Sequence, residues 1–266
     1  MSKKLLFTVT VILLLVAFSV SAFMVGKYVI EGKKSEDRFA ELANQASAAA
    51  TTEAPTEATE DTTEPPEGTT APTEPKMIAG YEEIYNQNND LVGWIKMEGT
   101  RMNYPVMQTP DDPNYYLYRD FDKKDSTRGS IYAWGDADIN MPSDNITIFG
   151  HNMADGSMFN CLGAYTSKYA WENNPLIIFD TLYEYHTYKI FAVFKTSANV
   201  GQGFSYHKFV DAANEKEFND FVAKCKDLSF YDTGITPVYG DKLIALSTCE
   251  YTLDNGRLVV CAVRIT

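Results

Sequence analysis

The sequence is poor in the residues that build metal centres and disulfide frameworks. It holds three histidines and four cysteines among 266 residues. No two cysteines form a paired C-x-x-C motif, and the spacing of His and Cys matches no zinc site. A chain of this length and apolar content needs no disulfides for stability, so we expect free cysteines and no metal or other cofactor. Cys161, Cys225 and Cys261 lie among apolar residues and are expected to be buried.

Positive charge is also scarce. The 23 Lys and Arg are outnumbered by 36 Asp and Glu, which gives a formal net charge of −13. Proteins that hold a phosphate backbone need a basic surface, and this acidic balance argues against one. We therefore expect no nucleic-acid partner.

Only one long apolar run occurs, from Leu5 to Val25. As a helix it would be about 30 Å long, enough to cross a bilayer. We expect residues 1–30 to be a single-pass membrane anchor, with the rest of the chain outside the cell. A cleaved signal peptide stays open as an alternative, because Ser19-Val20-Ser21 resembles a cleavage site.

The segment 51–76 has a composition unlike the rest of the chain. It contains nine Thr, seven acids and five Pro, with almost no bulky apolar side chain. Such a segment cannot bury enough apolar surface to offset the entropy of ordering it. We expect residues 31–76 to form an extracellular stalk, in which 35–50 is either a short helix or a continuation of the anchor.

The remaining residues, 77–266, have the pattern of one mostly β domain. Ile78, Tyr81 and Ile84 recur at helical spacing, so a short helix is expected to open it. Eight runs then have strand character, and most of the connections between them are short and polar. This predicts an eight-stranded, closed or nearly closed β-barrel. The predicted strands are Leu91–Met97, Tyr104–Met107, Gly129–Ala133, Asn145–Phe149, Leu176–Phe179, Thr187–Thr196, Lys242–Ser247 and Leu258–Ile265.

One connection, from Thr196 to Lys242, is much longer than the others. Within it five apolar residues fall on one helical face, and Asn214 with Glu217 resembles a capping box. We therefore expect a helix that covers part of the barrel, just before the last two strands. The five residues are Phe218, Phe221, Val222, Cys225 and Leu228.

The last two strands carry the strongest candidate for chemistry. Asn255-Gly256 is a turn signal, so the runs on either side of it should pair as an antiparallel hairpin. The pairing would put Cys249, at the end of one strand, beside Arg257, at the start of the next. A thiol next to a permanent cation is a candidate nucleophile, and Arg257 with the Glu250 backbone amide is a candidate oxyanion stabiliser.

The candidate base is His151, which follows directly on an apolar strand. His186 lies in a tyrosine-rich turn, and His207 is flanked by Tyr206 and Lys208 within the long connection, so His151 is preferred. Arg128 and Arg264 are expected to be ordinary surface arginines.

Together these segments resemble the class B sortases of Gram-positive bacteria. The resemblance runs from about Met77 to the C-terminus. It departs from the family at Phe149, where class B enzymes often have Tyr, so this chain lacks that hydroxyl. The motifs that carry it are Asp90–Ile95, Tyr104–Gln108, Tyr115–Leu117, Gly129–Tyr132, Gly150–Asn152, Asp155–Phe159, Leu246–Cys249 and Asn255–Arg257.

This resemblance implies a membrane-anchored cysteine transpeptidase. Cys249 would attack the Thr carbonyl of a surface protein's C-terminal sorting peptide, and His151 would protonate the leaving amine. The thioacyl product would then pass to an amine of a peptidoglycan precursor. The family also implies that Ser247 touches the substrate and that the long connection walls the peptide groove.

Two alternatives stay open at this point. The same Cys-His-Arg site could serve a cysteine peptidase, with water in place of the amine. A surface binding module without enzymatic activity would instead require Cys249 to be buried and inert.

Overall fold

The computed structural model describes residues 3–50 and 75–266, so residues 51–74, about half of the predicted stalk, lie outside the described residues. The described chain falls into two compact units, 1–41 and 42–266. Helix α1 (Lys3–Ala50) is continuous, so 35–50 continues the N-terminal helix and is not a separate one. In the described ranges, α1 is the one helix long and apolar enough to cross a membrane, judged by length and composition.

A closed barrel of eight strands dominates the second unit, as predicted. The strands follow the order β1-β2-β3-β4-β7-β8-β6-β5 around the barrel. The predicted strands are all present, with ends that differ by a few residues. They are β1 (Leu91–Lys96), β2 (Asn103–Met107), β3 (Ile131–Ala133), β4 (Asn145–Phe149), β5 (Leu176–Thr181), β6 (Thr187–Ser197), β7 (Leu243–Glu250) and β8 (Gly256–Arg264).

Two parallel pairings interrupt the otherwise antiparallel barrel. Strand β2 is parallel to β3, and β4 is parallel to β7. Parallel neighbours end at the same edge of a sheet, so the loop after β4 and the end of β7 meet at one rim. Because β8 is antiparallel to β7, it begins at that rim too.

The second unit includes the end of α1 as well as the expected short helix α2 (Ala79–Gln87). Leu42 is fully buried, and Gln87 donates a hydrogen bond from Nε2 to Gln45 Oε1 (2.9 Å). Residues 42–47 thus pack on the domain rather than standing clear of it. The domain boundary at Met77 stays a prediction.

The long connection between β6 and β7 contains helix α4 (Glu215–Leu228). Asn214 caps it by accepting a hydrogen bond from the Glu217 backbone (3.1 Å), as the sequence predicted. Its apolar face belongs to a buried cluster with β6, β7 and β8, in which the sulfurs of Cys225 and Cys261 lie 4.0 Å apart. This packing fixes the connection against the barrel. The remaining α-helix of the described residues is α3 (Lys168–Asn173), and three short 3-10 helices lie at Tyr115–Leu117, Phe159–Thr166 and Tyr206–Lys208.

Four cysteines are free, as expected from the sequence, but their burial differs from the expectation at one position. Cys225 and Cys261 are buried, as predicted, whereas Cys161 is only partly buried. Burial still raises the pKa of the Cys161 thiol above its ordinary value. Cys249 is also partly buried, at the end of β7.

Candidate active site

The predicted hairpin is confirmed, and its register is the one that the turn signal implies. Cys249 lies directly opposite Arg257 on the β7–β8 ladder. The turn between the strands is closed by Asn255, whose φ of 48° is left-handed, a conformation that Asn tolerates better than most residues. Both Cys249 and Arg257 are half-buried, so the thiol and the guanidinium share one rim of the barrel.

His151 reaches the same rim from the end of β4. Its Nε2 lies 2.8 Å from the carbonyl oxygen of Leu117. A carbonyl can only accept, so Nε2 carries the proton and donates it. In the neutral ring Nδ1 is then the nitrogen that can exchange a proton with another molecule. The ring of Tyr118 packs against the imidazole, with centroids 5.7 Å apart.

Three further hydrogen bonds tie the loop after β4 to the end of β7. Gly150 donates its N–H to Ser247 O (3.1 Å), and Thr248 Oγ1 donates to Gly150 O (2.7 Å). Asn152 donates from Nδ2 to the Cys249 carbonyl (3.0 Å). The histidine loop and the cysteine strand are therefore held in one fixed relation.

A cleft of about 260 Å³ opens at this rim. The side chains predicted for it from the sequence line it together: His151, Cys249, Arg257 and Ser247. Glu250, predicted to contribute only its backbone amide, turns its carboxylate elsewhere and accepts a hydrogen bond from Lys195 Nζ (2.7 Å). The other lining residues are Asn114, Leu117, Tyr132, Trp134, Phe149, Gly150, Ala198, Tyr206, His207 and Thr248.

Ser247 has a partner from the long connection. Its hydroxyl lies 2.6 Å from the hydroxyl of Tyr206. Burial raises the pKa of Tyr206 to about 12, so this phenol keeps its proton near neutral pH. The pair joins the connection to the strand that carries Cys249, two residues before the thiol.

One wall of the cleft is aromatic, and it contains a histidine that sequence reasoning passed over. His207 packs edge-on against Trp134, with ring centroids 5.5 Å apart, and against Phe149 at 6.5 Å. Burial lowers the pKa of His207, and the charges of Lys208 and Arg257 lower it further, which favours the neutral ring. No local signal in the sequence marked His207, because its place depends on how the long connection folds back over the barrel.

The arginine at position 128 is not the surface residue that the sequence predicted. Arg128 is 5% exposed. It donates to Ser157 Oγ (2.9 Å) and pairs with Asp155. These contacts brace the loop that follows His151. Within residues 3–50 and 75–266, no group of three or more His, Cys, Asp or Glu is arranged to hold a metal ion.

Comparison with known proteins identifies relatives of this barrel. The model of the sortase domain matches residues 95–265. Sortase B of Staphylococcus aureus is 29% identical over 184 residues, which cover 68% of this chain and 73% of that protein. Sortase B of Listeria monocytogenes is 29% identical over 180 residues, covering 67% of this chain and 71% of the relative.

Solved structures agree with these sequence matches. A Staphylococcus aureus sortase B–substrate complex superposes with a TM-score of 0.74 at 25% identity, over 89% of this chain and 99% of that one. A Bacillus anthracis protein described as similar to sortase B gives a TM-score of 0.71 at 27% identity, over 88% and 96% of the two chains. Since the domain model covers well over half of the sequence and these relatives are sortases B, the chain belongs to the sortase family of cysteine transpeptidases, in class B.

Proposed function

We propose that this enzyme is anchored in the membrane and cleaves a C-terminal sorting peptide after Thr, then joins the product to a cell-wall amine. The observation that carries the proposal is the pairing of Cys249 with Arg257 at a cleft that His151 also lines. A nucleophile, a proton carrier and an anion stabiliser are the three groups that acyl transfer through a thioester requires.

In the first half of the reaction, the Cys249 thiolate attacks the carbonyl carbon of Thr. A carbon–sulfur bond forms, and the carbonyl electron pair moves to oxygen. The oxyanion is stabilised by the Arg257 guanidinium and the Glu250 N–H. When the intermediate collapses, the carbon–nitrogen bond breaks and His151 gives its proton to the leaving amine.

In the second half, the amine of a peptidoglycan precursor attacks the thioester. His151, now neutral, takes a proton from that amine as the new carbon–nitrogen bond forms. The electron pair of the carbon–sulfur bond returns to Cys249, which leaves as thiolate. The energy of the original peptide bond is retained in the thioester, so the cycle needs no nucleotide.

The peptide is proposed to lie in the cleft between β7 and the long connection. Ser247 and Tyr206 join these two walls by a hydrogen bond of 2.6 Å, and Ser247 is proposed to contact the substrate. One matching structure is described as a sortase B–substrate complex, which supports substrate binding in a barrel of this kind. The aromatic side chains of Trp134 and Phe149 supply apolar surface for the residues before Thr.

The membrane part of the proposal rests on the first half of α1. Its apolar run is long enough to span the hydrocarbon core, and the catalytic domain would then work on the outer face of the cell. N-terminal sequencing of the protein from the membrane fraction tests this proposal. A mature N-terminus near Ala22 would show that the apolar run is removed.

The reaction is tested by incubating the purified enzyme with a Pro-x-Thr peptide, with and without an added amine. We expect cleavage after Thr, a thioacyl adduct on Cys249 detectable by mass spectrometry, and an amide product that increases with amine concentration. Cys249→Ala should abolish all three. Hydrolysis with no amide product at any amine concentration would instead identify a cysteine peptidase.

Access to the nucleophile is tested by alkylating the native protein with iodoacetamide. Cys249 should react first, because it borders the cleft, whereas Cys225 and Cys261 are buried. Burial also raises the pKa of Cys225 well above its ordinary value, which disfavours the reactive thiolate. An unreactive Cys249 would favour a binding module without enzymatic activity.

A further inference from the structure

The side chain of Asn152, in the loop that begins with His151, contacts the peptide group of the proposed nucleophile. Its Nδ2 donates to the Cys249 carbonyl (3.0 Å). We propose that Asn152 is a positioning residue, which orients the Cys249–Glu250 peptide unit for the reaction. This inference rests on the proposed function, in which Cys249 is the nucleophile and the Glu250 N–H stabilises the oxyanion.

The link between Asn152 and the oxyanion is the planarity of the peptide bond. In a trans peptide, the carbonyl of one residue and the N–H of the next lie in one plane and point in opposite directions. By holding the Cys249 carbonyl, Asn152 therefore also sets the direction of the Glu250 N–H. Asn152 approaches from the β4 side of β7, so that N–H is directed towards β8. On β8, Gly256 is the ladder partner of Glu250 and Arg257 is that of Cys249.

The orientation of the Asn152 amide is itself determined by a second amide. Asn160 donates from Nδ2 to Asn152 Oδ1 (2.8 Å). With its oxygen used in this way, Asn152 can only present its NH₂ group to the Cys249 carbonyl, which is an acceptor. The hydrogen bond from Asn160 thus fixes the Asn152 amide in the orientation that donates to the Cys249 carbonyl.

The same peptide unit is held at its other end by the side chain of Glu250. The carboxylate accepts from Lys195 Nζ (2.7 Å) and from the backbone N–H of Thr252 (3.0 Å). Restraint at both residues leaves the unit little freedom to rotate. A preorganised donor of this kind avoids reorganisation when charge develops on the substrate oxygen.

The isosteric substitution Asn152→Asp provides the sharpest test. Ionised Asp keeps the shape and can still accept from Asn160, but it offers no donor to the Cys249 carbonyl and repels it. At pH 8 we expect kcat for peptide cleavage to fall by about tenfold to a hundredfold, with KM changed by less than about threefold. When the new carboxyl is protonated, its O–H can donate again. The ratio of wild-type to variant kcat should therefore shrink as the pH falls towards about 4, the ordinary pKa of an Asp side chain.

The matched control is Asn173→Asp on α3. Asn173 also donates from its side-chain amide to a backbone carbonyl, that of Tyr169 (2.7 Å), and it does not line the cleft. The Asn173→Asp substitution should leave kcat and the pH dependence of kcat unchanged. Alkylation of Cys249 in Asn152→Asp should proceed within about threefold of the wild-type rate, which shows that the fold and the thiol are intact.

The outcomes separate this inference from the proposed function. If Cys249→Ala is inactive but Asn152→Asp keeps wild-type kcat at pH 8, the positioning role is wrong and the proposed function stands. If Asn152→Asp instead lowers kcat by the same factor at all pH values and also lowers the melting temperature, the role of Asn152 is merely structural. If Cys249→Ala remains active, the proposed function itself is wrong.

Discussion

Arg257 lies opposite Cys249 on the β7–β8 ladder, and its guanidinium is held by its own turn. Its Nη1 donates to the Gly256 carbonyl (2.9 Å) and to Asn255 Oδ1 (3.1 Å). These two hydrogen bonds are made by Nη1 alone. The turn therefore does not engage the N–H groups of Nη2 and Nε through these bonds. The guanidinium is thereby fixed near the thiol, at the cleft that both residues line.

This arrangement predicts a specific requirement for arginine. Arg257→Ala should lower kcat for peptide cleavage by about a hundredfold, a loss of about 3 kcal/mol of transition-state stabilisation. Arg257→Lys should recover little of that loss, because a compact ammonium cannot bind the turn and the oxyanion at the same time. Steady-state kinetics with one peptide, alongside thermal melting, measures both effects.

Arg264 provides the matched control for Arg257. It lies at the far end of the same strand, opposite Tyr188. Arg264→Ala should leave kcat unchanged, since the residue is remote from the cleft. Wild-type rates in Arg257→Ala would contradict the proposed role of the guanidinium.

The proposed role of His151 predicts dependence on the leaving group. His151→Ala should lower cleavage of an amide peptide by about a hundredfold or more, because the departing amine then lacks a proton donor. A matched substrate with a thioester in place of the scissile amide has a leaving group that needs no proton. The His151→Ala variant should therefore cleave the thioester substrate at a rate much closer to that of the wild-type enzyme. Equal losses for both substrates would show that His151 acts in some other way.

The side chain of Glu250 predicts a pH effect on stability. Burial raises the pKa of this carboxyl, but hydrogen bonds from Lys195 and Thr252 outweigh it and lower the pKa from 4.5 to about 2. A lowered pKa means that the folded state favours the ionised form. The stabilisation is therefore complete above pH 4.5 and is lost as pH falls towards 2.

We accordingly expect Glu250→Gln to lower the melting temperature by a few degrees at pH 7, where wild-type Glu250 is ionised. The difference between the two proteins should disappear between about pH 4.5 and pH 2. Lys195→Met should behave in the same way, and the double variant should add little to either single one. A difference that persists unchanged at pH 2 would contradict the ionic origin of the stabilisation.

The sequence was most informative where structure is set by residues close together in the chain. The β7–β8 hairpin and the pairing of Cys249 with Arg257 follow from two apolar runs and the Asn255-Gly256 turn, so both could be predicted. The cap of α4 at Asn214 is equally local. In each case a short pattern determines the backbone geometry without help from the rest of the chain.

Other features depend on contacts between distant segments, and no local pattern encodes them. The parallel pairing of β4 with β7 brings His151 to Cys249 across about a hundred residues. The place of His151 after an apolar strand made it the candidate base, but no local pattern showed that this strand lies beside β7. His207 enters the cleft because α4 anchors the connection on the barrel. Arg128 is buried because Asp155 and Ser157, in a different loop, supply its partners.

The packing of residues 42–47 on the domain makes a prediction about truncated chains. A protein of residues 77–266 should fold, since the whole barrel is retained, but it loses the buried Leu42 side chain. Burial of a leucine is worth about 1.5–3 kcal/mol. The melting temperature should therefore be about 4–10 °C lower than that of a protein of residues 31–266.

A substitution at Gly80 separates this packing from a general effect of chain length. A Cβ at Gly80 would lie 2.6 Å from the backbone oxygen of Ala46, so Gly80→Ala must displace the end of α1 in the longer protein. In the shorter protein that neighbour is absent, and alanine should stabilise α2 by up to about 1 kcal/mol, because it is the better helix former. The same substitution is thus expected to lower the melting temperature of 31–266 and to raise that of 77–266. Shifts of the same sign in both proteins would show that residues 42–47 do not pack against α2 in solution.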